Sequence, residues 1–359
     1  MKLPDFPWDA LAPYGQKARA HSQGFIDLSQ GTPVDPTPDF IQEELKSSSN
    51  SPSYPLTTGS ASLREALKGY CVDTLGASGD FDVLPTLGSK ELVALLAYLL
   101  EAKSVLIPEI AYPTYKVGAL LAKAEVIEVG IDAHTWPDRA DLAWINSPSN
   151  PTGRVHSKAE LEAALTWVRK SGATLASDEC YLPFTNGIQA HSILEIANGD
   201  NRSILALHSL SKRSNMAGYR GAFVAGDSKL IARLLEIRKH MGMMLALPIQ
   251  NSMAIALSDH SHVEIQAGKY QTRRVVLAKA LIEAGFKIEF SEAGLYIWCS
   301  RDESDWQSVA WFADLGILVT PGSFYGVKGD RFVRIALTAS DENISSAASR
   351  IFEAIKHDK

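Results

Sequence analysis

Short apolar runs alternate with amphipathic stretches through the middle of this chain, and few folds accept that order. Runs at 104–107, 125–129, 142–145, 173–176 and 204–207 are too short for independent helices and read as buried strands. Helix patterns occupy 62–75, 90–101, 158–170 and 229–243. Strands separated by helices call for an α/β core with a mostly parallel sheet flanked by helices. After Pro248 the pattern changes. A helical pattern runs from Ile249 to about Ala284, and strand-like runs follow at 287–290, 295–299 and 332–337. That mixture predicts a second, smaller α+β unit. The prolines Pro33, Pro36 and Pro38 and the lack of a long periodic segment make the first forty-odd residues read as an arm. The expected division is 1–47 as arm and part of the small unit, 48–247 as the large unit and 248–359 as the small C-terminal unit.

Composition narrows the function classes. A net charge of -6 offers no basic footprint for nucleic acid. The apolar run Leu92 to Leu100 is too short to span a bilayer. The start, Met1-Lys2-Leu3-Pro4-Asp5, lacks the apolar core of a secretory leader. Cys71, Cys180 and Cys299 are odd in number and far apart, which predicts free thiols in a reducing cytoplasm. His260-Ser261-His262 reads as a surface loop, and no metal site is expected.

The polar signals fall just after the strands, where open α/β sheets bind ligands. Ser209-Leu210-Ser211-Lys212 follows the run at 204–207, with Gly218 and Arg220 shortly after. A lysine at a strand mouth can form a Schiff base, and a fixed arginine with hydroxyls can hold a phosphate. A solvated Lys-Arg pair is the competing reading of that stretch. Gly88-Ser89-Lys90 opens a helix whose free N–H groups suit a phosphate, although an ordinary capped helix start looks the same. Tyr112 lies on the loop after 104–107 and could stack on a planar ring or pack the loop. Asn146-Ser147-Pro148-Ser149-Asn150-Pro151-Thr152-Gly153 is almost all turn formers, and an Asn there could donate to a phenolic oxygen. Asp178 or the adjacent Glu179 could pair with a protonated pyridine nitrogen, and spacing does not choose between them. Arg334 sits inside an apolar run and needs a partner, either a substrate carboxylate or a structural acid.

These strings, in this order from about Gly31 to Arg334, resemble the class I/II aminotransferases of pyridoxal 5'-phosphate (PLP) fold type I. The resemblance implies that Lys212 carries the cofactor and then acts as the base. It implies that Asp178 pairs with the ring nitrogen, that Tyr181 and Asn150 bind the 3'-oxygen, and that Tyr112 stacks on the ring. Ser89, Lys90, Ser209 and Arg220 would hold the phosphate, with Gly88 allowing close approach. Tyr54 matches a tyrosine that reaches the phosphate from the other subunit, which implies a homodimer with shared sites. Gly31 matches a segment that closes over the substrate, and Arg334 an arginine that binds the α-carboxylate.

The strings 291–298, 334–339 and 109–115 look like the actinobacterial N-succinyldiaminopimelate aminotransferases of lysine biosynthesis. That resemblance implies exchange between glutamate and N-succinyl-2-amino-6-oxopimelate. So long a dicarboxylate needs a second cation, for which Lys90, Arg19, Arg213 and Lys116 are the candidates. Aspartate, aromatic or broad-range transfer and C–S lysis remain as alternatives. A cofactor-sensing regulator calls for a basic DNA-binding module, and none precedes Gly31 in this sequence.

Overall fold

The computed structural model describes residues 3–4 and 7–357. Residues 1–2, 5–6 and 358–359, among them part of the stretch read above for a leader, lie outside the description. The central sheet is built from β2 (Asp82–Leu87), β3 (Ser104–Pro108), β4 (Glu125–Val129), β5 (Leu142–Asn146), β6 (Thr174–Asp178), β7 (Ile204–Ser209) and β8 (Gly221–Gly226); a short β1 (Ile26–Asp27) precedes it in the chain. Its spatial order is β2-β8-β7-β6-β5-β3-β4. β4, β3, β5, β6 and β7 run parallel, while β8 is antiparallel to both its neighbours. The carboxyl ends of β3, β5, β6 and β7 therefore open on one side.

Side chains alternate between two buried faces, as a sheet covered on both sides requires. Ala143, Ile145, Leu175, Ala206 and Phe223 join one apolar cluster. Leu142, Trp144, Ala176, Leu205 and Val224 join the other, with Leu92, Val93 and Leu96 of the helix Ser89–Leu99. Each such fully buried Leu, Ile or Phe stabilises the fold by roughly 1.5–3 kcal/mol.

The sequence reading places five strands of this sheet and omits β2 and β8. β2 carries Pro85, which demotes a strand, and it is tolerated because β2 lies at the sheet edge. β8 reads Gly-Ala-Phe-Val-Ala-Gly, whose small residues give little strand signal.

A third apolar cluster gathers the C-terminal segments, including Leu277, Tyr296, Phe312, Val333 and Ile344. It holds β9 (Lys287–Ile288), β10 (Tyr296–Ser300), β11 (Ile317–Leu318), β12 (Thr320–Pro321) and β13 (Phe332–Ala336), of which β12-β13-β10-β9 form one antiparallel sheet. The single helical pattern expected from Ile249 is two helices, Leu247–Ser258 and Ser261–Glu283. They break at Asp259-His260, where Asp259 accepts from the backbone N–H of His262 at 3.1 Å. His262 is not on a surface loop. Its ring is held between Asp259 at 2.6 Å and Ser214 at 2.8 Å.

The N-terminal arm is more structured than its prolines suggest. It holds the helices Ala12–Arg19 and Asp39–Ser47, and β1 pairs in parallel with β11. Two further hydrogen bonds extend this docking: Ala336 donates its backbone N–H to Leu28 at 2.8 Å, and Thr338 its hydroxyl to Gln30 at 2.7 Å. Among the described residues no helix is long and apolar enough to cross a membrane.

One buried arginine fastens this arm. Arg273 donates to both oxygens of Asp35, at 2.8 and 2.9 Å, and to Asp341 at 2.6 Å. Burial alone would raise the Asp35 pKa, but Arg273, Gln266 and Lys269 overcome it and bring the carboxyl down to about 2. This stabilisation is present above the ordinary value of 3.8 and is lost as pH falls through about 2. Asp35→Asn is therefore expected to lower stability at neutral pH by about 2 kcal/mol or more. Urea unfolding across an acid pH series should also show the variant losing less stability in that window than the parent.

Candidate functional site

The carboxyl ends of β5, β6 and β7 and the start of the helix Ser89–Leu99 enclose a cavity of about 430 Å³. β7 is buried along its whole length and turns at once into the four-residue helix Leu210–Arg213. Ser209 caps that helix by accepting from Ser211 N–H at 3.1 Å, and this turn presents half-buried Lys212 to the cavity.

Asp178 ends β6 opposite Asn146, which ends β5. Asp178 accepts from the Tyr115 hydroxyl at 2.8 Å and from Cys180 N–H at 3.2 Å. Burial raises its pKa, and these donors, with His208 nearby, pull it back. Among the described residues no cation forms an ion pair with it. Glu179 points elsewhere. It accepts from Ser177 and from Ile193 N–H, both at 2.8 Å, and lies 3.0 Å from the His208 ring, a charge-pair distance with poor hydrogen-bond alignment. Asp178 lines the cavity and Glu179 does not.

Asn146 organises the loop beyond it. Its amide donates to the Asp178 carbonyl at 2.8 Å and to the Pro148 carbonyl at 3.1 Å, while its oxygen accepts from Asn150 N–H at 2.8 Å. Asn150 in turn accepts from Arg334 at 2.9 Å. Arg334 is 3% exposed on β13, donates to the Ser29 carbonyl at 2.5 Å and lies 4.1 Å over the Tyr296 ring. Among the described residues its Nε has no hydrogen-bond partner and no carboxylate pairs with it. A buried guanidinium so placed is ready for a carboxylate from outside the chain.

The aromatic walls are fixed by each other. Tyr112 meets Tyr115 edge-on at 5.9 Å, and Tyr115 stacks on Trp144 at 4.8 Å. The Tyr181 and Tyr296 hydroxyls lie 3.1 Å apart, and burial together with Tyr296 pushes the Tyr181 phenol well above its ordinary pKa. Tyr181 therefore stays protonated and able to donate.

At the other end, Ser89 starts its helix after Gly88, which has φ 79°. A Cβ at Gly88 would collide with the Arg220 guanidinium, so only glycine lets the arginine lie against this helix start. Glu91 holds the turn. It accepts from Leu87 N–H at 3.2 Å and pairs with fully buried Arg238 at 2.5 Å. Ser89, Lys90, Ser209, Ser211 and Arg220 line this end.

The structure thus gathers Lys212, Asp178, Tyr181, Ser89, Lys90, Tyr112, Asn150, Ser209, Arg220, Gly31 and Arg334 around one cavity, with Gly88 just behind Arg220. Tyr54 is outside it and 91% exposed. Three suggested sources of a distal cation are also outside. Arg213 donates to the carbonyls of Ala256 and Asp259 at 2.7 and 3.1 Å, Lys116 faces Glu128 at 3.5 Å, and Arg19 packs over Phe25 at 4.6 Å. Only Lys90 of that set lines the cavity. Sequence reasoning assigned no role to Tyr115, Asn146, Tyr296 or Trp8. The first three stand inside or beside the motifs read above, whereas Trp8 carries no local signal.

A cofactor with a cationic ring nitrogen, a phenolic oxygen and a phosphate fits these groups. Asp178 lacks a countercharge, Tyr181 is a donor, and the Gly88–Arg220 corner is shaped for an anion at a helix start.

A family model, aminotransferase class I and II, matches residues 23–351. The chain is 45% identical over 356 residues to 4-dedimethylamino-4-oxo-anhydrotetracycline transaminase OxyQ of Streptomyces rimosus, covering 98% of this chain and 99% of that one. It is 46% identical over 356 residues to the probable aminotransferase Rv1178 of Mycobacterium tuberculosis, covering 97% and 85%. A probable N-succinyldiaminopimelate aminotransferase from Thermus thermophilus matches in structure with TM-score 0.89 at 28% identity, over 97% of this chain and 100% of that one.

Gly88→Ala is expected to displace Arg220 and weaken retention of pyridoxal 5'-phosphate by about tenfold, the loss of one charge-assisted hydrogen bond. Equilibrium dialysis of cofactor from the variant and the parent checks this.

Proposed function

The chain belongs to the class I and II aminotransferases, which depend on pyridoxal 5'-phosphate, and from that premise we propose that it exchanges an amino group between glutamate and the oxo acid of N-succinyl-LL-2,6-diaminopimelate. The observation that carries amino-acid transfer is Arg334, a buried guanidinium with no acid partner among the described residues, beside the cavity that holds Lys212.

When bound, the cofactor supplies an aldehyde for amine attachment and an electron-withdrawing ring that takes up charge from the substrate Cα. The residues divide the remaining work. Arg334 receives the α-carboxylate and, with Asn150, orients the Cα–H toward Lys212. The Lys212 amine would take the proton from the substrate Cα and hold it for return. Asp178 would face the ring nitrogen and favour its protonated form, and a cation there would offset the burial that raises the Asp178 pKa. Tyr181 and Asn150 would donate to the phenolic oxygen, and Tyr112 would lie against the ring. Ser89, Ser209 and Arg220 would hold the phosphate at the helix start, and Lys90 is assigned to the substrate instead.

For the distal end, Lys90 is the member of the set Lys90, Arg19, Arg213 and Lys116 that lines the cavity, and this reading turns it toward the second carboxylate of a long dicarboxylic substrate. The Thermus relative's description supports this substrate. A second reading is a large ring ketone as the amino acceptor. Trp8, Tyr112 and Tyr296 line the cavity with aromatic surface, and the Streptomyces relative is described as a transaminase of such a ketone.

The reading includes a homodimer, in which exposed Tyr54 reaches the partner's phosphate site. It also includes the division at 1–47, 48–247 and 248–359, with Gly31 on the segment that closes over the substrate. A Cβ at Gly31 would meet the Tyr296 hydroxyl, so that segment already lies against the cavity wall. The three buried free thiols accord with a reducing cytoplasm.

Steady-state transfer from glutamate to each oxo acid tests the substrate. Preference for the succinylated acceptor is expected, and Lys90→Ala should raise its KM by about tenfold without a matching fall in kcat. Preference for aryl or polycyclic ketones would replace the first reading with the second. Lys212→Ala should abolish transfer with every substrate, and turnover by that variant would overturn the mechanism.

A further inference from the structure

A second cavity, of about 420 Å³, lies behind the loop that carries Asn150. Its walls are apolar and aromatic, with Ile110, Ile131, Ile145, Trp136, Trp144 and Phe290 among them. Such a volume and lining are those of a small-molecule site rather than a packing flaw. The rings are held. The Trp136 indole N–H donates to the Gly130 carbonyl at 2.8 Å, and Trp144 stacks on Tyr115 at 4.8 Å.

Two residues of this lining carry buried polar atoms that nothing in the described chain satisfies. His156 is 8% exposed and its Nδ1 has no hydrogen-bond partner. Arg154 spends one nitrogen on Glu160 at 2.7 Å, while its buried Nη1 has no hydrogen-bond partner. Unpaired buried polar groups are expensive, and a ligand that meets them recovers that energy. Burial, aided by Arg154, brings the His156 pKa down to about 4, so the ring is neutral near pH 7 and Arg154 is the cation. Glu109, an acid in the same lining, is already paired with Lys328 at 2.7 Å. Flat apolar walls with an unsatisfied guanidinium nitrogen and a neutral imidazole select a planar ring bearing an acid group.

The cavity is also tied to the active site. Asn146 lines both cavities. Through its side chain it holds the Asp178 carbonyl and the Asn150 N–H, at 2.8 Å each. An occupant that moves Asn146 moves both. We propose that this second cavity binds an aromatic carboxylate of the arylacetate kind, and that its occupant alters amino transfer through Asn146. The binding part stands on the cavity alone; the effect on transfer rests on the function proposed above.

Indole-3-acetate is a suitable probe, because it has neither an amine nor an oxo group to exchange. Calorimetric titration of the holoenzyme should show saturable binding, and kinetics should show an effect that excess amino donor does not abolish. Gly130→Leu tests the location by filling the cavity. A Cβ there has room, its nearest neighbour being Glu109 at 3.9 Å. Gly130→Leu and Arg154→Met should each weaken binding by about tenfold or more, while transfer without the probe stays within about twofold of the parent. Absence of saturable binding, undiminished binding in both variants, equal binding of uncharged indole, or purely competitive inhibition would overturn the proposal. A protein that binds the probe but transfers no amino group would overturn the function and leave the site standing.

Discussion

Asp178 is a buried carboxylate answered by neutral donors and, among the described residues, by no ion pair, and the site is arranged around that imbalance. An acid in this position is unstable in isolation, since burial disfavours its charge. It is held there by the register of β5, β6 and β7. That register sets Asn146 beside Asp178 and places Lys212 one short turn beyond the next strand. Tyr115 and Cys180 then fix the direction of the carboxylate. A ring nitrogen that carries a proton is the group that removes the imbalance, and in doing so it becomes the electron sink that amino transfer needs.

Arg334 repeats the logic at the substrate end. Its carbonyl, amide and hydroxyl partners orient the guanidinium without neutralising it. The Ser29 carbonyl that it touches belongs to the arm pinned by β1 and by Arg273, so the packing of the first forty residues bears directly on the carboxylate site. The cavity is thus a junction of two cores, one on each side of Asn150.

Much of this was legible in the sequence because polar motifs follow apolar strand runs, and strands separated by helices imply a parallel sheet whose carboxyl ends lie on one side. Lys212 stood out as a lysine beside hydroxyls at a strand mouth, Asn150 as part of a string of turn formers, and Arg334 as a charge inside an apolar run. The choice between Asp178 and Glu179 was not legible from spacing, and only the family resemblance made it. Neighbouring strand residues face opposite ways, and which way is set by packing against Ser177, Ile193 and His208. β2 and β8 escaped because proline and glycine mask a strand that only its sheet position permits. The distal cation was left open among four candidates, of which Arg213, Arg19 and Lys116 engage local carbonyl, aromatic and acid groups. Trp8 reaches the cavity from a segment with no periodic pattern, so only the fold brings it there.

The most direct test of this account is the half-reaction. Holoenzyme is mixed with glutamate in the absence of any acceptor, and the visible absorption of the cofactor is followed in the parent, Asp178→Asn and Glu179→Gln. The account predicts that the parent and Glu179→Gln lose the band of the aldehyde form, while Asp178→Asn retains cofactor but converts it far more slowly. Conversion by Asp178→Asn at the parental rate would contradict it.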